Sequence, residues 1–501
     1  MGALGEPPLD VPFSPSPGEG GGRGRERGPG GEGPEGGGTT EQRVLRSTFA
    51  SYAIQLARLG INFGVKLALV RLILPHGHGV YELALRIVTL ASAVRDLGLP
   101  YHLVRDKRRP YGTVLAFTSA MGVLITVALI AGAPLFGRLA PELPSVLRVF
   151  ALWILLDGLA VVPRTFFERE LRIGNLIAPE IGRGLVLAAV SVGLAWLGWG
   201  YWSLVIGDLV GAALLAVYSW AKAWGKIPLK ADLDLVPDLV RRSFFLFLIW
   251  LTLQLVTYID VFIVDWYRGT TTVGLYSRAY WLVFLVATIV YPRALFPTLV
   301  EYLNDRRRFV EFFRLSTIQL LGCQIVASYF LFFNAERVVR IVLGENWLAA
   351  APILRVLAFI PFFDQFTILG GEMLKAEHRD GSWLRIEILN LVSLVGFGIL
   401  FTLRFGAAGM GAANYLLIGN LVMAWEVARV FGPRFRTLLG DLALLYLIPL
   451  PFFALAAWLF APGSWERFLV SMIAAALAAG GIAARYWRPF RTFFTQAPLQ
   501  G

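Results

Sequence analysis

Arg58, Lys66, Arg86, Arg183, Arg278 and Arg293 each stand inside a long apolar stretch of the chain. A cation buried in hydrocarbon is unfavourable by several kcal/mol unless it faces water, an anion or an acidic partner. Asp157, Glu180, Asp208, Asp260, Asp364, Glu372, Glu387 and Glu426 occupy comparable positions. Ion pairing is therefore one fate for any single arginine, and a cavity that receives an anion is the other. Arg58, Asn62 and Lys66 recur every four residues and would line one face of a helix. Asp260 and Glu372 are the candidates for holding a proton or sodium ion within the apolar layer. Arg71, Arg95, Arg148 and Arg355 lie near stretch ends and are expected to snorkel towards water. Arg95 falls on the helix face opposite Arg86 and reads as an interfacial anchor.

Other chemistries lack their residues. No G-x-x-x-x-G-K-[ST] loop, H-E-x-x-H or C-x-x-C motif is present, so ATP hydrolysis by a phosphate loop and zinc chemistry are unsupported. Gly406–Gly411 opens an apolar span rather than a helix of a βαβ unit, which removes a dinucleotide reading. His76, His78, His102 and His378 have no metal-site companions, and the single cysteine, Cys323, reads as a small buried hydrophobe within a span. No metal and no cofactor is expected.

The elements that must position these groups are membrane helices. The chain has 501 residues, 56% hydrophobic and 16% charged, with mean hydropathy +0.63. Its apolar runs give about 14 spans of a ~30 Å hydrocarbon layer. They begin near residues 48, 80, 111, 145, 176, 202, 239, 273, 309, 349, 383, 410, 441 and 466. Residues 1–44 are rich in Gly, Pro, Glu and Arg and are expected to be a disordered tail, not a signal peptide. The net charge of +12 is unevenly placed. Alternate loops hold about 29 Lys and Arg against about five on the other side, the positive-inside pattern. Both termini are thus expected in the cytoplasm, in the inner or plasma membrane, and nucleic-acid binding is not expected.

The spans are duplicated. Leu147-Arg148-Val149, Ala151 and Asp157 recur 207 residues later as Leu354-Arg355-Val356, Ala358 and Asp364, and Glu180-Ile181 falls on Glu387-Ile388. Gly79-x-Tyr81-x-x-Ala84 recurs 195 residues later as Gly274-x-Tyr276-x-x-Ala279, and Ile206-Gly207-Asp208 as Ile418-Gly419-Asn420. The expected architecture is an all-α polytopic membrane protein with two parallel six-helix bundles (45–225 and 239–431) around a central cavity. An accessory helix pair (441–487) follows. Aligning Tyr81 with Tyr276 puts Arg86 and Arg278 on equivalent faces one turn apart, looking across the cavity. With Arg58, Lys66 and Arg293 they make a cavity with excess positive charge, suited to an anionic ligand.

Arg71-Leu-Ile-Leu-Pro75-x-x-x-Gly79-x-Tyr81-x-x-Ala84, followed by Asp96-Leu-Gly98-Leu, resembles the opening of the polysaccharide transporter family. Pro163-Arg-Thr-Phe-Phe-Glu168-Arg169, Asp260 with Gly274-Leu-Tyr276-Ser-Arg278-Ala279-Tyr280, and Gly344-Glu-Asn-Trp347 are similar to later motifs of that family. The resemblance covers roughly residues 45–430. It implies the multidrug/oligosaccharidyl-lipid/polysaccharide flippase fold, with two bundles in a V, and transfer of a polyprenyl-pyrophosphate-linked oligosaccharide to the outer leaflet without covalent catalysis. Cavity arginines would bind the pyrophosphate, with Arg278 and Asp260 carried over by their motif context. Glycan polymerase and glycosyltransferases are the expected partners beside the lipid bilayer and H+ or Na+. His76-Gly77-His78, where the family is commonly acidic, and Asp265, where a glycine is usual, depart from the pattern. An ion-coupled small-molecule exporter of the same fold is the alternative. A membrane enzyme of glycan assembly fits less well, because the external loops are short.

Overall fold

In the computed structural model, residues 60, 63–100, 103, 108–170, 173–290 and 295–496 are described. The expected tail, Arg58, Asn62 and Arg293 lie outside them. After a helical stretch at 63–72, the elements are α1 (Pro75–Asp96), α2 (Tyr111–Gly132), α3 (Leu143–Phe150), α4 (Leu152–Arg169), α5 (Ile173–Trp196) and α6 (Trp202–Ala223). Then come α7 (Val236–Arg268), α8 (Thr270–Val290), α9 (Leu295–Glu301), α10 (Arg306–Val342), α11 (Ala351–Leu357) and α12 (Ile360–Ala376). The chain continues with α13 (Asp380–Ala413), α14 (Ile418–Phe431), α15 (Phe435–Leu447), α16 (Leu450–Leu459) and α17 (Trp465–Gln496). Short 3-10 turns join several of them, and no strand occurs among the described residues.

Local chemistry sets the boundaries. Pro75 starts α1, where its missing N–H would have no partner, and Leu97 ends it in the left-handed region. The Asp305 carboxylate accepts from the N–H groups of Arg307 and Arg308 and caps α10. Gly269, at φ +80°, alone separates α7 from α8, and Asp265 accepts from the Thr270 hydroxyl across that corner.

The duplication is visible in the backbone. Helices α3 and α4 break at Ala151, and α11 and α12 break at Ala358, the position 207 residues on. Each broken pair follows a six-residue 3-10 turn, Ala133–Arg138 or Glu345–Ala350. Between the halves, α1 crosses α8 at the paired glycines. A Cβ on Gly79 would run into the Thr270 carbonyl oxygen, and one on Gly274 into that of Pro75. The same 195-residue offset relates the two contacts, so the local pseudo-twofold axis passes between these helices. Trp347, buried in the second half, donates from its indole to the Val70 carbonyl of the first at 3.0 Å.

Among the described residues, seven stretches are long and apolar enough to cross a membrane, or eight if the pair bent by 49° at residues 358–359 counts as one span. Helix α1 falls short of that measure because it carries His78, Glu82 and Arg86 into the apolar layer. The protein is a multi-pass helical membrane protein. Its α15–α17 segment packs on α10, through Leu445, Phe453, Ala478 and Ile482 against Ile318, Leu321 and Ile325. Arg314 and Tyr486 both donate to Asp441 there, at 2.6 and 3.0 Å. Cys323 is exposed rather than buried, in a groove between α10 and α17, since the two helices do not close over that position.

Candidate functional site: a charged central cavity

A cavity of about 520 Å³ opens between α1, α6, α7, α8 and the helical stretch at 63–72. Lys66, Arg86, Arg278 and Asp260 all line it. Lys66 Nζ stands 5.5 Å from the Trp281 ring centroid, and Phe63 stacks on the same ring. The Arg86 guanidinium lies over Tyr258 at 4.3 Å. Arg86 Nη2 is 3.0 Å from Glu82 Oε2, one turn back on α1, and Arg278 Nη2 donates to Glu82 Oε1 at 2.5 Å from the other half. Arg278 is 6% and Glu82 7% exposed. The repeated tyrosines also point inward but have different partners. Tyr81 donates to Asp208 at 2.5 Å, and Tyr276 donates to Asp260 at 2.8 Å. Asp260 accepts a second bond from the Val261 N–H at 2.7 Å.

Three cations line this cavity among the described residues, and so do three carboxylates: Glu82, Asp208 and Asp260. Two of the five expected cations, Arg58 and Arg293, lie outside the described residues, and the described lining is balanced. Composition counts charges along the chain, whereas the balance depends on which helices converge. Six polar atoms in the lining are buried without a hydrogen-bond partner among the described residues: Nε of Arg86, Nε of Arg278, Ser277 Oγ, Glu82 Oε2 and both ring nitrogens of His78. With a proton on one His78 nitrogen, four of the six can donate, so the unused capacity is mostly for an acceptor-rich ligand.

Other expected residues go elsewhere. Glu372 lies outside the lining and pairs with Lys375 at 2.6 Å, one turn on along α12. Arg95 is not an interfacial anchor. It is 1% exposed and donates to Asp96 at 2.8 and 2.9 Å, to Asp157 at 3.1 Å and to the Ile154 carbonyl. Arg355 pairs with Glu336 at 2.7 Å, and Arg71 donates to the Ile341 carbonyl at 2.7 Å. Glu82 was not anticipated as a site residue. The i, i+4 spacing of Glu82 and Arg86 was its signal, but its second partner is 196 residues distant. At the Pro75 end, His76 meets Glu142 at 3.2 Å and Thr271 at 3.4 Å. Burial opposes ionisation of Glu142, yet bonds from its own backbone N–H and from His76 hold its carboxyl below the ordinary value. Among the described residues, no group of three or more His, Cys, Asp or Glu is placed to hold a metal ion.

Fold and cavity together define a helical, internally duplicated membrane protein with a polar chamber on its pseudo-axis. The sequence pattern of the polysaccharide biosynthesis protein family matches residues 68–352, more than half of the chain, and the chain belongs to that family. It is 24% identical over 371 residues to the teichuronic acid biosynthesis protein TuaB of Bacillus subtilis (strain 168), covering 70% of this chain and 76% of that protein. It is 25% identical over 328 residues to the succinoglycan biosynthesis transport protein ExoT of Rhizobium meliloti (strain 1021), covering 63% of this chain and 65% of that one. The fold is similar to that of the lipid II flippase MurJ in an inward closed conformation, with TM-score 0.71 and 14% identity over 88% of this chain and 99% of MurJ. It is also similar to an inward-facing multidrug resistance MATE family transporter of the MOP superfamily, with TM-score 0.55 and 15% identity over 75% of this chain and 98% of that one.

Proposed function

We propose that the protein is a flippase that moves a polyprenyl-diphosphate-linked oligosaccharide from the cytoplasmic to the outer leaflet for surface or exopolysaccharide assembly. The observation that carries this reading is the convergence of Arg86 and Arg278, one from each half, on a single buried point inside the cavity. A guanidinium pair matches phosphate oxygens in charge and geometry. A site built from both halves also senses their relative position, as alternating access requires. The names of the two curated relatives and of the flippase with a similar fold support the substrate class. The bundles at 45–225 and 239–431 would rock about the α1–α8 crossing, with both termini in the cytoplasm and the 441–487 pair as an accessory element. The diphosphate would lie against the arginines and Lys66, the glycan in the hydrated chamber and the polyprenyl tail in lipid. Asp260 is the residue for a coupling H+ or Na+, since it faces the chamber, whereas Glu372 is committed to Lys375. Glycosyltransferases and a glycan polymerase would supply and consume the cargo.

The test is leaflet transfer of a labelled polyprenyl-diphosphate oligosaccharide in proteoliposomes. Arg86→Ala and Arg278→Ala are each expected to slow transfer at least about thirtyfold, the effect of roughly 2 kcal/mol lost when one partner of a buried charged contact is truncated. Wild-type rates in both variants would rule the mechanism out. Asp208 and Asp260 favour a second reading, export of small cations. Uptake of a cationic dye that is abolished by Asp260→Asn and unaffected by the arginine variants would select it.

A further inference from the structure

Glu82 holds two guanidiniums with one carboxylate. Oε1 accepts from Arg278 and Oε2 faces Arg86, so each oxygen serves a different half of the molecule. The other two carboxylates of the chamber are engaged differently, Asp208 by the Tyr81 hydroxyl and Asp260 by that of Tyr276. One carboxylate neutralises only one of two cations. At this point two guanidiniums share one carboxylate, and the Nε groups of Arg86 and Arg278 have no hydrogen-bond partner among the described residues. The carboxylate is also tethered, and a tethered group competes at a high effective concentration against anything free in solution. A singly charged anion that replaced it would gain little. A phosphate group carries about −1.5 to −2 charges at neutral pH, and a diphosphate carries more, with oxygens for every free donor.

Resting on the reading that the chamber receives a lipid-linked diphosphate, we propose that Glu82 is a built-in competitor occupying the anion site of the empty transporter. It lowers the affinity of every anion by a common factor. Singly charged anions therefore fail to bind at cellular concentrations, the multiply charged diphosphate still binds, and the diphosphate can be released after transfer. Displacing Glu82 from Arg278 also breaks an ion pair that joins the two halves inside the chamber. Loading thereby weakens the resting arrangement.

The inference predicts a sign opposite to that of a residue that only orients the arginines. The experiment uses the full chain in lipid nanodiscs, with farnesyl diphosphate and inorganic pyrophosphate as probes and binding followed by calorimetry. Glu82→Gln, which keeps shape and removes charge, should bind both probes about tenfold or more tightly than wild type, equivalent to about 1.4 kcal/mol. Glu82→Asp should remain close to wild type. Asp260→Asn removes a carboxylate from the same chamber without freeing an arginine and should change affinity less than about threefold. Weaker or unchanged binding by Glu82→Gln overturns the proposal, as does equal tightening by Asp260→Asn, which would reveal a general field rather than a competitor. In those cases wild-type binding still stands and the flippase reading survives. Absence of diphosphate binding by wild type and all variants overturns both.

Discussion

The two halves share a backbone plan but spend their charges differently. In the first half Asp157 is paired with Arg95 and Glu180 with Arg164, both at 3.1 Å. The equivalent acids of the second half are Asp364 and Glu387, and the positions equivalent to Arg95 and Arg164 are Val290 and Gly371. No cation pairs with Asp364 among the described residues, and Glu387 accepts from the Trp383 indole at 3.1 Å. That indole sits where a side chain on Gly371 would lie, since a Cβ there would be 3.1 Å from Trp383 Nε1. Arg278 of the second half faces the chamber, as does Arg86 of the first. A duplicated scaffold can thus keep its helix crossings and send an arginine from each copy to the pseudo-axis, while only the first copy pairs this equivalent couple of acids with cations.

The largest expected effect lies in the first half. Arg95→Ala leaves Asp96, Asp157 and the Ile154 carbonyl without their buried donor. It should lower unfolding free energy in micelles by about 3–5 kcal/mol, the range for breaking a buried ion pair. Asp157→Asn should lower it less, and Asp364→Asn should leave it unchanged or raise it. Equal losses for the two aspartates would erase the contrast between the halves.

Next come the crossing glycines, where the halves ought to behave alike. Gly79→Ala and Gly274→Ala each push a methyl into a backbone carbonyl that no rotamer change can move. Each should destabilise the α1–α8 contact by about 1–3 kcal/mol. The readout is the loss of disulfide crosslinking between cysteines introduced near residues 75 and 270. A large effect from only one glycine would mean that the axis is not where these contacts put it.

The smallest effect concerns pH at the Pro75 end. The Glu142 carboxyl is held below its ordinary value, so its contribution is complete above the usual carboxylate range and is lost as pH falls through the lowered value. Hydrogen exchange near residue 142 should rise modestly on acidification, and Glu142→Gln should remove that dependence. Ala349 stands at the corresponding position of the second half and can make no such contribution.

Much of the architecture was legible from residue types alone. Apolar runs, alternating basic loops and glycines in constant register gave the helices, the duplication and the facing positions of Arg86 and Arg278. These are local or periodic signals. They hold because a helix face is set by residues three and four apart, and because a close crossing tolerates only glycine. Lys66, Arg86 and Arg278, placed by charge and periodicity, line one chamber with Asp260, placed by its motif context, whereas Glu372 does not. Distance along the chain hid the rest. Glu82 reads as an ordinary i, i+4 partner of Arg86 until α8 brings Arg278 to its other oxygen, and Arg95 reads as a surface anchor until α4 covers it.

The sequence by itself determined that this is a duplicated helical membrane protein with ionisable groups at defined faces of its central helices. Only the tertiary structure decided which of those groups neutralise one another. An ion pair forms at contact distance between helices far apart in the chain, so the three cations of the described lining share their chamber with three carboxylates.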